Sequence, residues 1–215
     1  MNAPRVIAID GPAASGKSTV ARMVAERLGM VWVNSGALYR AITWWLVRGG
    51  GLPGDSEAAA RLADVDFSCR VEDGGLVVSI DGENPAPFLR QADVNRSVSP
   101  VSQLPCVRDA VNTRLRALVR GYACVVEGRD IGTCVFPDID AKFYVDASPE
   151  ERARRRGAEG QDDRIAERDR MDSARAIAPL VAADDAVIID STTLTPEEVA
   201  DRIIHACTGS ASTSA

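Results

Sequence analysis

The chain has 215 residues, 46% hydrophobic and 26% charged, which suits one α/β domain with small inserted lobes. Its net charge of −6 argues against a nucleic-acid binder working through a basic surface, and no stretch approaches the ~18 consecutive apolar residues of a membrane span. Five widely spaced cysteines (Cys69, Cys106, Cys124, Cys134, Cys207) without a C-x-x-C pair, and the single His205, speak against a disulfide framework, a zinc cage or a histidine-based triad. A reducing, cytoplasmic setting is expected, without a signal peptide.

In chain order, Arg5–Asp10 reads as a buried parallel strand, and it runs directly into Gly11, Pro12, Ala13, Ala14, Ser15, Gly16, Lys17, Ser18 and Thr19. This is G-x-x-x-x-G-K-S in the strand–loop–helix context that a phosphate-binding loop requires. Small residues let the backbone curl until several N–H groups face phosphate oxygens, and the following helix adds favourable partial charge. Lys17 is expected to reach the β- and γ-phosphates and the Ser18 hydroxyl to ligate Mg²⁺. The apolar positions Val20, Met23, Val24 and Leu28 recur at helical spacing. A nucleoside triphosphate site follows.

Met30–Val33 reads as a second strand, followed by Asn34-Ser35-Gly36 and a helix through Ala37–Val47 that carries Tyr39 and Arg40. Phe67–Val71 and Leu76–Ile80, separated by Glu72-Asp73-Gly74-Gly75, read as a small antiparallel insert. Helix returns at Pro105–Arg120. Ala123–Val126 is a third core strand ending at Glu127-Gly128-Arg129-Asp130, and Lys142–Val145 is a fourth. Ser148-Pro149-Glu150-Glu151 opens a helix with a capping box. Ala186–Asp190 is the fifth strand, and Thr195-Pro196-Glu197-Glu198 repeats the capping device for the last helix. A short tail at 208–215 is expected to be disordered.

The expected fold is therefore a five-stranded doubly wound parallel sheet with an antiparallel β-rich inserted lobe and a short arginine-rich lid. It forms a single domain over 1–207. The core takes 1–48, 105–151 and 169–207, the insert about 49–104, and the lid about 152–168. Ligands of such sheets bind at the strands' C-terminal ends. The loop at Gly11–Thr19, the segment Asn34–Arg40 and the segment Glu127–Asp130 all fall there.

A phosphate loop serves switches and motors as well as kinases. Eight arginines between Arg152 and Arg175 in an acidic chain suggest charge neutralisation during phosphoryl transfer, with Arg155 the lid candidate; solvated pairs with Glu150, Glu151 and Glu159 account for them equally well. No histidine or H-R-D loop stands ready to deprotonate an alcohol. A phosphate monoester acceptor needs no such base, because its second pKa of ≈ 6 leaves it nucleophilic at neutral pH. Arg40 and Arg129 are placed to hold it. Glu127 either organises Mg²⁺ through water or pairs with an arginine. Arg168, Asp172 and Arg175 fall at i, i+4 and i+7 on one helical face, either as an ion-pair ladder worth ~0.3–0.5 kcal/mol per pair or as a polar face that closes on a nucleoside.

Taken together, several separated blocks resemble the bacterial cytidylate (CMP) kinases from about Arg5 to His205. They are Ile9–Thr19, Ser35–Arg40, Val107-Arg108, Glu127–Thr133 with Val135–Pro137, Asp146–Arg152, Glu167–Asp169 with Ala178–Leu180, and Asp190–Leu194. The resemblance implies transfer from ATP to CMP or dCMP with Mg²⁺, by a monomer acting on small molecules without nucleic acid or membrane. Within it, Lys17, Arg40, Arg129 and Arg155 would be catalytic. Arg40 and Arg129 would hold the CMP phosphate, and Asp130 with Ser35 would accept from the cytosine amine. Arg108 and Arg175 would donate to the ring, Ser99, Arg168 and Asp172 would meet the sugar, and Tyr39 would line the same site. Two departures stand out: Asn34 where relatives often carry Asp, and a lid of only Gly157–Glu167 between Arg156 and Arg168.

Overall fold

A computed structural model describes residues 5–158, 170–175 and 177–209. The chain packs as two compact units, one built from the chain up to Val33 and from Tyr122 onward, the other from Asn34–Gly121.

In the first unit, strands β1 (Val6–Asp10) and β2 (Val31–Asn34, its last residue counted with the other unit) are separated by helix α1 (Lys17–Leu28). Further along the chain come β5 (Cys124–Gly128), β6 (Lys142–Asp146) and β7 (Val187–Asp190), with helices α6 (Pro149–Ala158) and α7 (Pro196–Gly209). The strands lie in the order β2-β5-β1-β6-β7. β1 pairs in parallel with both β5 and β6, and β6 in parallel with β7. β1 and β5 are fully buried runs, the pattern of a sheet covered on both faces. Ile7, Ile9, Val125, Phe143 and Val145 of the sheet share one core with Val20 and Val24 of α1 and Val199 and Ile203 of α7.

The strand order has a functional consequence. From β1 the chain goes to β2 on one side, whereas from β5 it crosses to β6 on the other. The switch point of the sheet thus falls between β1 and β5, where Asp10 lies opposite Gly128.

In the second unit, α2 (Ser35–Val47) packs against α4 (Ala92–Val101) and α5 (Pro105–Gly121), and α3 (Asp55–Ala63) against α5. Strands β3 (Phe67–Glu72) and β4 (Gly75–Ile80) form the expected antiparallel hairpin. Leu38, Ile42, Leu46, Val94, Val98, Val107, Val111 and Leu115 are buried. Two features differ from expectation. The insert is not mainly β, because α3 and α4 are as much a part of it as the hairpin. Its packing also extends past 49–104, because α2 and α5 bury their apolar stripes against those two helices.

Some local expectations change as well. Ser35 and Gly36 belong to α2 rather than to a loop, since the Asn34 side chain accepts from the Ala37 N–H at 3.0 Å and caps the helix. Asn and Asp perform this task about equally, so capping survives the loss of charge at Asn34. At α7 the full capping box forms, with Thr195 Oγ1 accepting from Glu198 N–H and Glu198 accepting from Thr195 N–H. At α6 only half of it forms. Ser148 Oγ accepts from Glu151 N–H, but the Glu151 carboxylate is taken by Arg154 and Arg155, whose charge-assisted bonds outcompete a backbone amide. Finally, α7 extends to Gly209, two residues into the expected tail, with Thr208 Oγ1 donating to Ile204 O; 210–215 lie outside the described residues.

Candidate active site

The phosphate loop is shaped by two glycines that no other residue replaces. Gly11 has φ +150, and a Cβ there would stand 2.1 Å from the Val145 carbonyl oxygen of the neighbouring strand. Gly16 is left-handed and starts α1. Lys17 is buried and its Nζ donates to Pro12 O at 2.8 Å, so the ammonium folds back over the loop. Ser15 Oγ is buried without a hydrogen-bond partner. A buried hydroxyl inside a curl of backbone amides is what an anionic oxygen would satisfy.

Behind the loop, Ser18 Oγ donates to Glu127 Oε2 at 2.6 Å. Glu127 thus takes the Ser18 hydroxyl, a partner that neither of the two roles expected of it named. Burial raises its carboxyl above the usual range, while Lys17 and the Ser18 hydroxyl pull the other way. A hydroxyl and a carboxylate are hard oxygen donors, and they fit Mg²⁺, which keeps water and substrate phosphate for its remaining positions. Among the described residues no group of three or more His, Cys, Asp or Glu could hold a metal alone.

Arg155 and Arg152 both reach the loop from α6. Arg155 donates to Ser15 O at 3.2 Å and to Ser191 O at 2.7 Å, and Ser191 Oγ itself donates to Ser15 O at 2.9 Å. Arg152 donates to Ala13 O at 3.4 Å. The expected lid thus begins as an ordinary continuation of α6 bound to the loop's backbone, and 159–169, with Arg168, lie outside the described residues.

At the switch point, Arg129 donates from Nε to Asp172 Oδ2 at 3.0 Å and from a terminal nitrogen to Gly11 O at 2.9 Å. Asp172 also accepts from Arg175, and its own carbonyl takes the Leu180 N–H. Arg129, Asp172 and Arg175 are therefore brought together, with the Asp172 carboxylate almost wholly buried between two guanidinium groups. Asp130, next to Arg129 in sequence, is buried, and its carbonyl accepts from Cys134 and Val135 N–H.

In the second unit, Arg40 donates to Leu89 O at 2.9 Å and to Asn95 Oδ1 at 2.6 Å. The Arg108 guanidinium lies 5.9 Å from the centre of the Tyr39 ring and donates to Ser102 O at 3.5 Å. Ser35 and Ser99 are buried, and Ser99 O accepts from Ser102 Oγ. The acceptor residues expected from sequence divide into Arg129, Asp130, Asp172 and Arg175 in one unit and Ser35, Tyr39, Arg40, Ser99 and Arg108 in the other.

Sequence reasoning overlooked several supporting groups. Asp10 Oδ1 accepts from Ile131 N–H at 2.9 Å and Oδ2 from Gly132 N–H at 2.8 Å. A carboxylate ending an otherwise apolar buried strand was the available signal. Ser191 lay in the resembling block Asp190–Leu194 without a role, and Asn95 and the Leu89 carbonyl had no signal, since each meets its partner only through the fold.

The profile of the cytidylate kinase family matches residues 7–209. The chain belongs to the cytidylate kinase family. Among its relatives, a cytidylate kinase of Geobacillus thermodenitrificans is 44% identical over 211 residues, covering 93% of this chain and 94% of that protein. One from Pseudomonas paraeruginosa is 43% identical over 216 residues, covering 94% of each. A Synechococcus relative named bifunctional pantoate ligase/cytidylate kinase is 42% identical over 213 residues, covering 92% of this chain, and the chain spans 43% of its length. Among solved structures, TT1252 from Thermus thermophilus shares the fold at a TM-score of 0.51 and 18% identity, covering 98% of this chain and 99% of that one. For a cytidylate kinase the phosphate loop and the Arg129–Asp172–Arg175 cluster lie where the sheet's topology puts a ligand. Among the described residues no helix is long and apolar enough to cross a membrane.

Proposed function

We propose that this chain transfers the γ-phosphoryl group of ATP to CMP or dCMP, giving ADP and CDP or dCDP, in the cytoplasm. The observation that carries the reading is the match, over 93% of this chain and 94% of that protein, to a protein named cytidylate kinase. The phosphate loop with its buried Lys17 supports it.

In this reading the loop amides and Lys17 hold the β- and γ-phosphates of ATP, while Ser18 and Glu127 hold Mg²⁺, whose charge offsets that of the phosphate oxygens. An oxygen of the CMP phosphate attacks the γ-phosphorus, the bond to the β-phosphate oxygen breaks, and ADP leaves. No protein base is required, because the acceptor is already anionic near neutral pH. Arg129 exchanges its Asp172 and Gly11 contacts, and Arg40 its Leu89 and Asn95 contacts, for the incoming phosphate. Asp130 with Ser35 receives the cytosine amine, Arg108 and Arg175 the ring acceptors, and Asp172 the sugar. Uracil would face that carboxylate with a carbonyl, leaving a buried acceptor unpaired.

The test is to follow γ-labelled ATP with CMP and Mg²⁺. Label should appear in the β-phosphate of CDP, with little free phosphate. Label released only as inorganic phosphate would show a hydrolase instead.

A further inference from the structure

Asp10 carries none of the roles above, yet it lies where the donor and acceptor segments of the first unit meet. It ends β1 and immediately precedes Gly11 of the phosphate loop. Its two oxygens take the N–H groups of Ile131 and Gly132, the residues that directly follow Arg129 and Asp130. Arg129 closes a second tie between the same segments through Gly11 O. The turn is also boxed in from behind. A Cβ at Gly132 would stand 3.2 Å from Lys142 Cδ, and Lys142 is itself fixed by Asp185 at 2.7 Å and by Pro137 O.

We infer that Asp10 is a positioning residue for the acceptor: its carboxylate clamps the turn that presents Arg129 and Asp130, and registers that turn against the phosphate loop. Only a carboxylate does this. It offers one acceptor oxygen to each amide, whereas an asparagine would turn an N–H₂ toward one of them. The clamp is kept against an electrostatic cost. Burial pushes the Asp10 carboxyl up to about 6; the two amides and Lys17 pull it down, and Asp130 adds to the rise. At neutral pH the group is therefore still ionised and holds both amides.

The inference rests on the proposed acceptor site, and three measurements on the full chain separate the two. In ligand-free wild type, the Ile131 and Gly132 amide shifts should titrate together with a midpoint near 6. A shift that titrates at one amide and not at the other would remove the two-oxygen clamp. In D10N, amide exchange at these two residues should accelerate about tenfold or more, and unchanged rates would also overturn it. In steady-state kinetics, D10N should raise the KM for CMP about tenfold while the KM for ATP stays within about twofold. Equal rises in both, the mark of a loosened fold, or no rise at all, would sink the positioning claim. If wild type fails to phosphorylate CMP, the acceptor assignment falls, while the first two measurements, made without nucleotide, still decide whether Asp10 holds the turn.

Discussion

The phosphate loop and the arginine cluster at the switch point are held in opposite ways. The loop is fixed mainly by backbone: Gly11 where a Cβ would meet Val145 O at 2.1 Å, Gly16 in the left-handed region, and carbonyls pinned by Lys17, Arg152, Arg155 and Ser191. Its buried Ser15 hydroxyl awaits a partner. Arg129 at the switch point, by contrast, is engaged with the internal acceptors Asp172 and Gly11 O; within the second unit Arg40 is likewise engaged, with Leu89 O and Asn95. In the proposed reading the loop's backbone is already shaped for a phosphate and only the Lys17 and Ser18 side chains exchange partners, whereas Arg129 and Arg40 must each release two acceptors. That contrast predicts unequal responses to mutation.

The largest effect belongs to the pre-formed side. Lys17→Ala should lower the rate of phosphoryl transfer about 10³-fold, the scale of a lost transition-state charge contact. Calorimetry should find CMP affinity nearly unchanged, and a matching loss of CMP binding would erase the distinction between the two regions. On the exchanging side, Arg129→Ala should raise the KM for CMP by about 10²-fold, since charge-assisted bonds are worth ~1.5–3 kcal/mol each. A comparable rise in the KM for ATP would show that Arg129 serves the loop through Gly11 O instead.

Asp10 adds a dependence on pH. Its folded pKa of about 6 lies above the ordinary 3.8, so the folded state binds the proton more tightly than the unfolded chain. Stability from this group is present below about pH 4 and is lost as pH rises through 6, by roughly 3 kcal/mol for two pK units. Denaturant melts of D10N should lack this fall between about pH 4 and 6. A wild-type slope in D10N would assign the titration elsewhere. Asp130→Ala should narrow the CMP/UMP preference about tenfold, and an unchanged ratio would exclude it from base recognition. The smallest effect is expected far from both regions: Thr195→Ala removes a cap from α7 and should cost about 1 kcal/mol of stability with both KM values unaltered.

What the sequence makes legible follows the same divide. The phosphate loop is local, since strand, glycines, Lys17 and Ser18 lie within a few residues, and the parallel strands announce themselves as short apolar runs. The ties that shape the acceptor side are distant: Asp10 meets Gly132 across 122 positions, Arg40 meets Asn95 across 55, and Arg129 meets Asp172 across 43. Helices α3 and α4 were hidden for another reason. The first buries only Ala58, and the second carries Pro100 and four polar residues among its last seven, so neither shows a wide apolar stripe. In α6 both the capping motif and the pairing of arginines with Glu151 were visible, but not that Arg154 and Arg155 would draw the carboxylate away from the cap.

The most direct test of the acceptor assignment is a competition in which CMP, dCMP, UMP, AMP and shikimate share one pool of Mg-ATP and each phosphorylated product is quantified. With the γ-phosphate of ATP labelled, CDP and dCDP should take up label first, UDP more slowly, and shikimate phosphate or ADP made from AMP barely at all, unlabelled ADP being the coproduct of every transfer. Rapid formation of shikimate phosphate, or of UDP ahead of CDP, would contradict an acceptor site built around a phosphate monoester carrying cytosine.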